Sequence, residues 1–398
     1  MTRKIKILYI SSVIPDTSCG AHIAIYRHFV AKNDFDVTVC SYQAANSETN
    51  SKYIIPMSKL RTRLQNTRFS RLLWNLHYFL SWKFIPKELL SFAKESEPDI
   101  IMTVPDNIHS GFALQLSSIL KKPLVVDLQD LFPLSQFISD YMKPYGLTRR
   151  FLLKQFFNIH KAAKLAFYTS EGMKEFFPDH PNGHVLYPIG DFSNRPLDID
   201  KDTASSTTER PFTIVYAGNC YGAYGRMLLK FAKLVKESPE LHLKIFPVGK
   251  GWSDKDIKIM TEAGIYQKFT PFEELKKELA AADAFLTVMS FEPPEKPFVS
   301  TSFTTKWLDY APYGKPIFVW GPEYSSAYIF AKKHNSGITT TIDDAQELFL
   351  SCLQTSKDKI KQNEFGNNAL KAASSILNPE NIHSVLVNQI SRLLNQAN

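Results

Sequence analysis

A chain of 398 residues is too long for one ordinary core and suggests two domains of about 200 residues each. Its 44% apolar and 13% aromatic content is globular, and it has no stretch of about 18 uninterrupted apolar residues that could span a membrane. The formal net charge of +8 is uneven: residues 1–192 hold 23 Lys and Arg against 16 Asp and Glu, and the remainder holds 24 against 23.

Residues 5–11 read as a first buried strand. Basic residues precede the apolar run as in a signal peptide, yet the run continues into a loop at 12–19 and an amphipathic helix at 21–31. A second strand at 37–40 completes the strand–glycine–helix–strand order of a Rossmann-type unit. Only Gly20 stands where dinucleotide-binding proteins carry three glycines, so an NAD fingerprint is missing. His22 reads first as a helix-surface histidine and second as a group reaching the cleft.

Residues 58–87 differ in character. Lys59, Arg61, Arg63, Arg68, Arg71, Lys83 and Lys87 alternate with Trp74, Tyr78, Phe79, Trp82 and Phe84, and no acid lies between Glu48 and Glu88. That composition suits a segment lying in an anionic membrane interface. It equally suits a helix whose aromatics pack on the core behind a solvated basic face, and both readings stand. Nucleic acid fits the basic half less well, because helix-turn-helix, zinc-finger and RNP-type signatures are missing.

A strand at 100–104, a helix at 107–120 and a strand at 124–128 follow. The last ends in Asp127-Leu128-Gln129-Asp130-Leu131-Phe132-Pro133, which puts polar groups where parallel sheets meet ligands. A helix at 147–163 carries Arg149, Arg150, Lys154 and Lys161 on a face that could join the membrane surface. Strands at 165–169 and 185–187 close the first domain, and the polar stretch 193–210 is a linker. Its Asp198 and Asp200 form a D-x-D string in linker composition, so a metal site is not expected there.

The second domain opens with a strand at 212–217 closing on Gly218-Asn219. Tyr221, Gly222, Tyr224, Gly225 and Arg226 then read as a glycine loop able to receive a phosphate, before a helix at 227–237. Strands at 241–246, 284–289 and 317–320 with a helix at 275–282 repeat the alternation, giving a second Rossmann-like sheet. A last helix at 382–394 shows an apolar stripe at Ile382, Val385, Val387, Ile390 and Leu394. The cysteines Cys19, Cys40, Cys220 and Cys352 show neither metal spacing nor pairing pattern, which points to a reducing, cytoplasmic setting.

The most informative stretch is 301–324, TSFTTKWLDYAPYGKPIFVWGPEY. Ser302, Phe303, Thr304, Thr305 and Lys306 open a short helix that stops at Tyr313-Gly314. Hydroxyls before a helix start present backbone N–H groups to a diphosphate, and Lys306 adds a mobile positive charge. Asp309, three residues after Lys306, could accept the hydroxyls of a ribose. The plainer alternative makes the hydroxyls N-caps and Lys306–Asp309 a solvated pair.

This string resembles the donor-binding segment of GT-B glycosyltransferases of the family 4 kind, with Asp309-Tyr310 and Gly314-Lys315-Pro316 in matching places. Two departures stand out: Thr304 replaces the family's proline, and Asp309 its usual glutamate. The family's first glutamate falls on Thr301, with Glu292 and Glu295 as nearby substitutes.

The resemblance implies an α/β chain of GT-B fold, two Rossmann-like domains facing across a cleft. It places an acceptor domain at 1–192, a linker at 193–210, a nucleotide-sugar domain at 211–377, and a helix at 378–398 packing back on the first domain. It implies donor contacts at Gly218, Asn219, Tyr224, Ser302, Thr304, Thr305, Lys306 and Asp309. Lys306 and Arg226 would meet the charge of the leaving diphosphate, and Asp130 would serve the acceptor hydroxyl. Gly20, His22 and Gln129 would line the acceptor loop, Gln129 standing where many members have His or Arg. The implied activity is transfer of a sugar, with retention and without metal or cofactor. UDP- or GDP-sugar is the donor, and the acceptor is a glycan or lipid-linked molecule at the inner membrane face. The rivals are a GT-B sugar-nucleotide epimerase and a non-catalytic GT-B subunit.

Overall fold

The computed structural model describes residues 3–16, 20–42, 51–56, 67, 69–132, 142–190, 210–249 and 251–397. The chain forms two compact units, 1–189 with 382–398, and 190–381. The division falls at Ile189–Gly190 rather than at 192, and linker residues 193–209, Asp198 and Asp200 among them, lie outside the described residues. Arg210 belongs to the second fold, since its guanidinium grips Asp283 at 2.6 and 2.8 Å.

Each unit is built on a parallel sheet. In the first, β1 (Ile5–Ile10), β2 (Phe35–Ser41), β3 (Ser51–Ile54), β4 (Ile100–Thr103), β5 (Leu124–Leu128), β6 (Leu165–Tyr168) and β7 (Gly183–Val185) lie in the order β3-β2-β1-β4-β5-β6-β7. The second holds β8 (Phe212–Asn219), β9 (Leu241–Val248), β10 (Ala284–Val288), β11 (Ile317–Trp320) and β12 (Ile338–Thr340) in the order β12-β11-β10-β8-β9. Central strands such as β4, β5, β6, β10 and β11 are buried along their whole length. Helices cover both sheet faces, so these strands read as continuous apolar runs rather than alternating ones. The edge strand β3 gives no such signal: it has four residues, and Ile54 is 55% exposed.

Strand order reverses beside β1 in the first sheet and beside β8 in the second. The switch points therefore lie between β1 and β4 and between β8 and β10, the places where open α/β sheets bind ligands at their carboxyl ends. Helices are set by local caps: Ser170, Ser253 and Ser325 each accept a backbone N–H from the first turn they precede.

The last helix, Pro379–Ala397, starts where the Asn378 side chain accepts the amides of Glu380 and Asn381. Its buried stripe is Ile382, Leu386, Ile390 and Leu393, whereas Val385 is 40% exposed; the 3.6-residue period selects Leu386 in its place. His383 ties this helix to the first unit through Asp34 at 2.6 Å.

Of the basic-aromatic segment, Ser70–Ser81 is a helix, and Lys59, Arg61, Arg63 and Arg68 lie outside the described residues. Trp74 and Tyr78 are buried, and Trp82 donates its indole N–H to the Asn107 carbonyl, so these aromatics pack inward. Among the described residues no helix is long and apolar enough to cross a membrane.

Candidate functional site

The 301–324 string folds into short pieces bolted onto the end of the second sheet. Ser302 is extended, the helix begins at Lys306 and runs to Tyr310, and a 3-10 turn Ala311–Tyr313 ends at Gly314 in the left-handed region. Ser302, Phe303 and Thr304 thus approach the helix as loop rather than opening it. Thr305, in the N-cap place, makes no side-chain capping bond, which an ordinary N-cap threonine would. Trp307 is fully buried against Phe330, and Tyr310 stacks on Phe285 with ring centroids 4.6 Å apart. The Ala217 amide of β8 donates to the Tyr310 hydroxyl at 2.8 Å, fastening this helix to the strand.

That fastening fixes Lys306. Its ammonium lies 4.9 Å from the centre of the Tyr216 ring and beside Gly218, where an added Cβ would come within 2.9 Å of Nζ. Gly218 has φ +143°, which a side chain rarely adopts, so its backbone favours glycine. Lys306 is partly buried and held on an aromatic bed, a correction to the mobile cation read from sequence. Burial pushes its pKa down, and Asp309 pulls it back up. The pair is therefore no fully solvated surface contact: Asp309 is itself partly buried.

The glycine loop after β8 is shorter than expected. The Asn219 side chain accepts the Tyr221 amide at 2.9 Å, Gly222 takes φ +63°, and the helix Gly222–Lys236 begins at once. Tyr224, Gly225 and Arg226 are consequently helical. A Cβ on Gly225 would overlap the Cys220 carbonyl at 1.9 Å, so this glycine serves close packing rather than a flexible phosphate loop. Tyr224 packs partly buried against the core, its phenol pushed up to about 12 by burial and by Glu295. The exposed Arg226 is engaged by the carboxylate of Glu292. At the place of the family's first glutamate, Thr301 is 1% exposed, and its hydroxyl donates to the Pro297 carbonyl at 2.7 Å.

In the first unit, polar groups gather at the carboxyl ends of β1, β4 and β5. The loops leaving β1 and β4 are tied together, the Ser12 amide donating to Asp106 at 2.8 Å and the Ser11 hydroxyl to the Val104 carbonyl at 2.8 Å. Asp106 also accepts the Ile108 and His109 amides and faces His109 Nδ1 at 2.7 Å. Burial alone would raise its pKa, but the His109 ring and these hydrogen bonds hold it at about 2. Among the described residues His109 Nε2 is buried without a hydrogen-bond partner. Sequence reading passed over this pair, although Asp and His three apart behind a strand end were there to find.

After β5, Gln129 is 8% exposed and its amide donates to both oxygens of the fully buried Asp127 at 2.9 Å. Burial pushes the Asp127 carboxyl up to about 7, against the lowering effect of that amide. Asp130 lies partly buried just beyond. His22, read as a surface residue, is partly buried with Nδ1 3.4 Å from Asp16. Gly20 is the first residue of the Gly20–Phe29 helix rather than part of a loop. Among the described residues Cys40, Cys220 and Cys352 are free and buried, and no cluster of His, Cys, Asp and Glu could hold a metal; Cys19 lies outside them.

Solved structures match this fold over nearly the whole chain. HepE from Anabaena in complex with UDP aligns with TM-score 0.67 at 17% identity, covering 98% of this chain and 100% of that one. Sucrose-phosphate synthase from Thermosynechococcus elongatus gives 0.64 at 13% identity, with both chains fully covered. WaaG, a glycosyltransferase involved in lipopolysaccharide biosynthesis, gives 0.58 at 13%, covering 96% and 99%. The chain has the GT-B fold. No protein-family model matches it, and no curated protein is significantly similar in sequence.

Proposed function

We infer that this protein is a glycosyltransferase of the family 4 kind, moving a hexose from a nucleoside diphosphate sugar to a glycan or lipid-linked acceptor. One observation carries the reading. At the β8/β10 switch point a partly buried cation, Lys306, is held beside Gly218 with Asp309 in the same helix. A cation there meets the charge that grows on a departing diphosphate, which lowers the barrier because the group is already in place. Asp309 takes the ribose hydroxyls, and Ser302, Thr304, Thr305 and Asn219 the phosphates. Arg226 joins them by exchanging Glu292 for the diphosphate.

In the family that this chain resembles, side chains rather than a metal or cofactor meet that charge, and the anomeric configuration is retained. HepE was solved with UDP and with UDP-glucose, which favours a uridine donor as the first to test. Asp130 and Gln129 serve the acceptor, Gln129 as a fixed hydrogen-bonding group because Asp127 holds its amide. The setting is cytoplasmic, at the inner membrane face, in the synthesis of cell-surface glycans.

The test is a donor screen with product analysis, using UDP- and GDP-sugars and lipid-linked glycan acceptors. Acceptor-dependent release of one nucleotide, lost in Lys306→Ala, supports the reading; conversion of the donor without acceptor makes the protein an epimerase. A binding-only subunit has one observation in its favour, the enclosed Thr301 where the family carries a glutamate. Failure to bind any nucleotide would support it.

A further inference from the structure

The Ser70–Ser81 helix has two apolar faces. Trp74 and Tyr78 on one are buried in the first unit. Leu72, Leu76 and Leu80, spaced four apart, point the other way and are 57%, 52% and 41% exposed. Phe69 at 49% and Phe84 at 65% extend this stripe at either end. Scattered exposed leucines need no explanation, but a continuous stripe along one helix marks an interaction surface.

The neighbouring helix, Gly146–Ala162, continues that surface. Phe79 and Phe151 bring the two helices together with ring centroids 4.6 Å apart. The Arg71 guanidinium lies 4.5 Å over the Tyr145 ring and donates to the Lys143 carbonyl. Leu147 is 77% exposed in the first turn. Neither helix contains an acidic residue, while Arg71, Lys83, Lys143, Arg149, Arg150 and Lys154 are all exposed on them or beside them.

We propose that this two-helix face docks on the surface of an anionic phospholipid bilayer, the leucine stripe entering the acyl boundary and the basic residues meeting the headgroups. An apolar stripe rimmed by one sign of charge fits that occupant, since long Lys and Arg side chains reach headgroups while their stems lie along apolar surface. A second copy of the chain fits badly, because a two-fold contact would set the same positive rim against itself. The inference needs nothing from the donor assignment, and its test reads no sugar chemistry.

The experiment is sedimentation of the full chain with vesicles of phosphatidylglycerol and phosphatidylcholine, against pure phosphatidylcholine. Wild type binds the mixed vesicles and releases in high salt. Leu72→Gln/Leu76→Gln lowers partition by about tenfold. Arg149→Gln/Arg150→Gln/Lys154→Gln lowers it by about a hundredfold. Ile360→Gln, at an 83% exposed position of the second unit, leaves it unchanged. Every substituted residue is exposed, and matching thermal melts verify the fold of each variant. Failure of wild type to bind the mixed vesicles overturns the proposal, as does undiminished binding by both multiple variants. A wild-type dimer that Leu72→Gln/Leu76→Gln dissolves makes the face a protein interface and overturns it as well.

Discussion

The two sheets present opposite chemistry at equivalent places. At the β8/β10 switch point the prominent group is a cation on an aromatic bed, Lys306 over Tyr216. At the β1/β4 switch point it is a buried carboxylate, Asp106, saturated by amides and His109, with Asp127 buried one strand further on. One topology thus carries a cation at the switch point of one unit and buried, already paired carboxylates at that of the other. What differs is the side chain that each strand end delivers. On the proposed function, the donor diphosphate goes to the first and the acceptor to the second.

The contrast can be broken most severely at the cation. Lys306→Ala should cut transfer by about a thousandfold, since a fixed charge facing the leaving group is lost; steady-state nucleotide release measures it. Asp106→Asn comes next. It removes the charge facing His109 and should destabilise the fold by about 3 kcal/mol in denaturant titration near neutral pH. The Asp106 pKa is depressed to about 2, so its contribution is present above the ordinary carboxyl range and fades as pH falls through that value. The difference between variant and wild type should therefore shrink in acid.

Gly218→Ala tests the close approach beneath Lys306. A methyl group there meets Nζ and needs a strained positive φ, so stability should fall by about 2 kcal/mol and nucleotide affinity with it. Asp127→Asn has the smallest effect and the opposite sign. A carboxyl whose pKa is raised to about 7 on folding contributes stability below its unfolded pKa of 3.8, lost as pH rises through the folded value. Removing the charge should raise the melting temperature by ~3 °C at pH 8 and leave it unchanged near pH 4.

Much of this is legible in the sequence. Buried parallel strands announce themselves as apolar runs, and Gly314 behind Tyr313 marks the stop that the left-handed φ of +62° demands. The closeness of Lys306 to Asp309 followed from helical spacing alone. What sequence could not show was the bed beneath Lys306, because Tyr216 and Gly218 lie some ninety residues upstream and meet it only where the Ala217–Tyr310 hydrogen bond fastens the helix to β8. The loop after β8 was misread for a related reason: two glycines look like flexibility, while Gly225 is there to let the Cys220 carbonyl pass. Asp106 and His109 went unnoticed because an Asp after a strand passes for a helix cap. It does accept the first amides, and only the ring contact reveals the second role. In the 58–87 segment, the aromatics that catch the eye in the sequence are the residues most able to pack, and Trp74 and Tyr78 do so. The leucines left over form the exposed face.

The most direct test is isothermal titration of UDP and GDP into wild type and Lys306→Ala. The account predicts saturable binding of one nucleoside diphosphate, weakened about thirtyfold when the lysine is removed, the worth of a strong charged hydrogen bond. No binding of either nucleotide to wild type, or equal binding by the variant, would contradict the placement of a diphosphate at this sheet end.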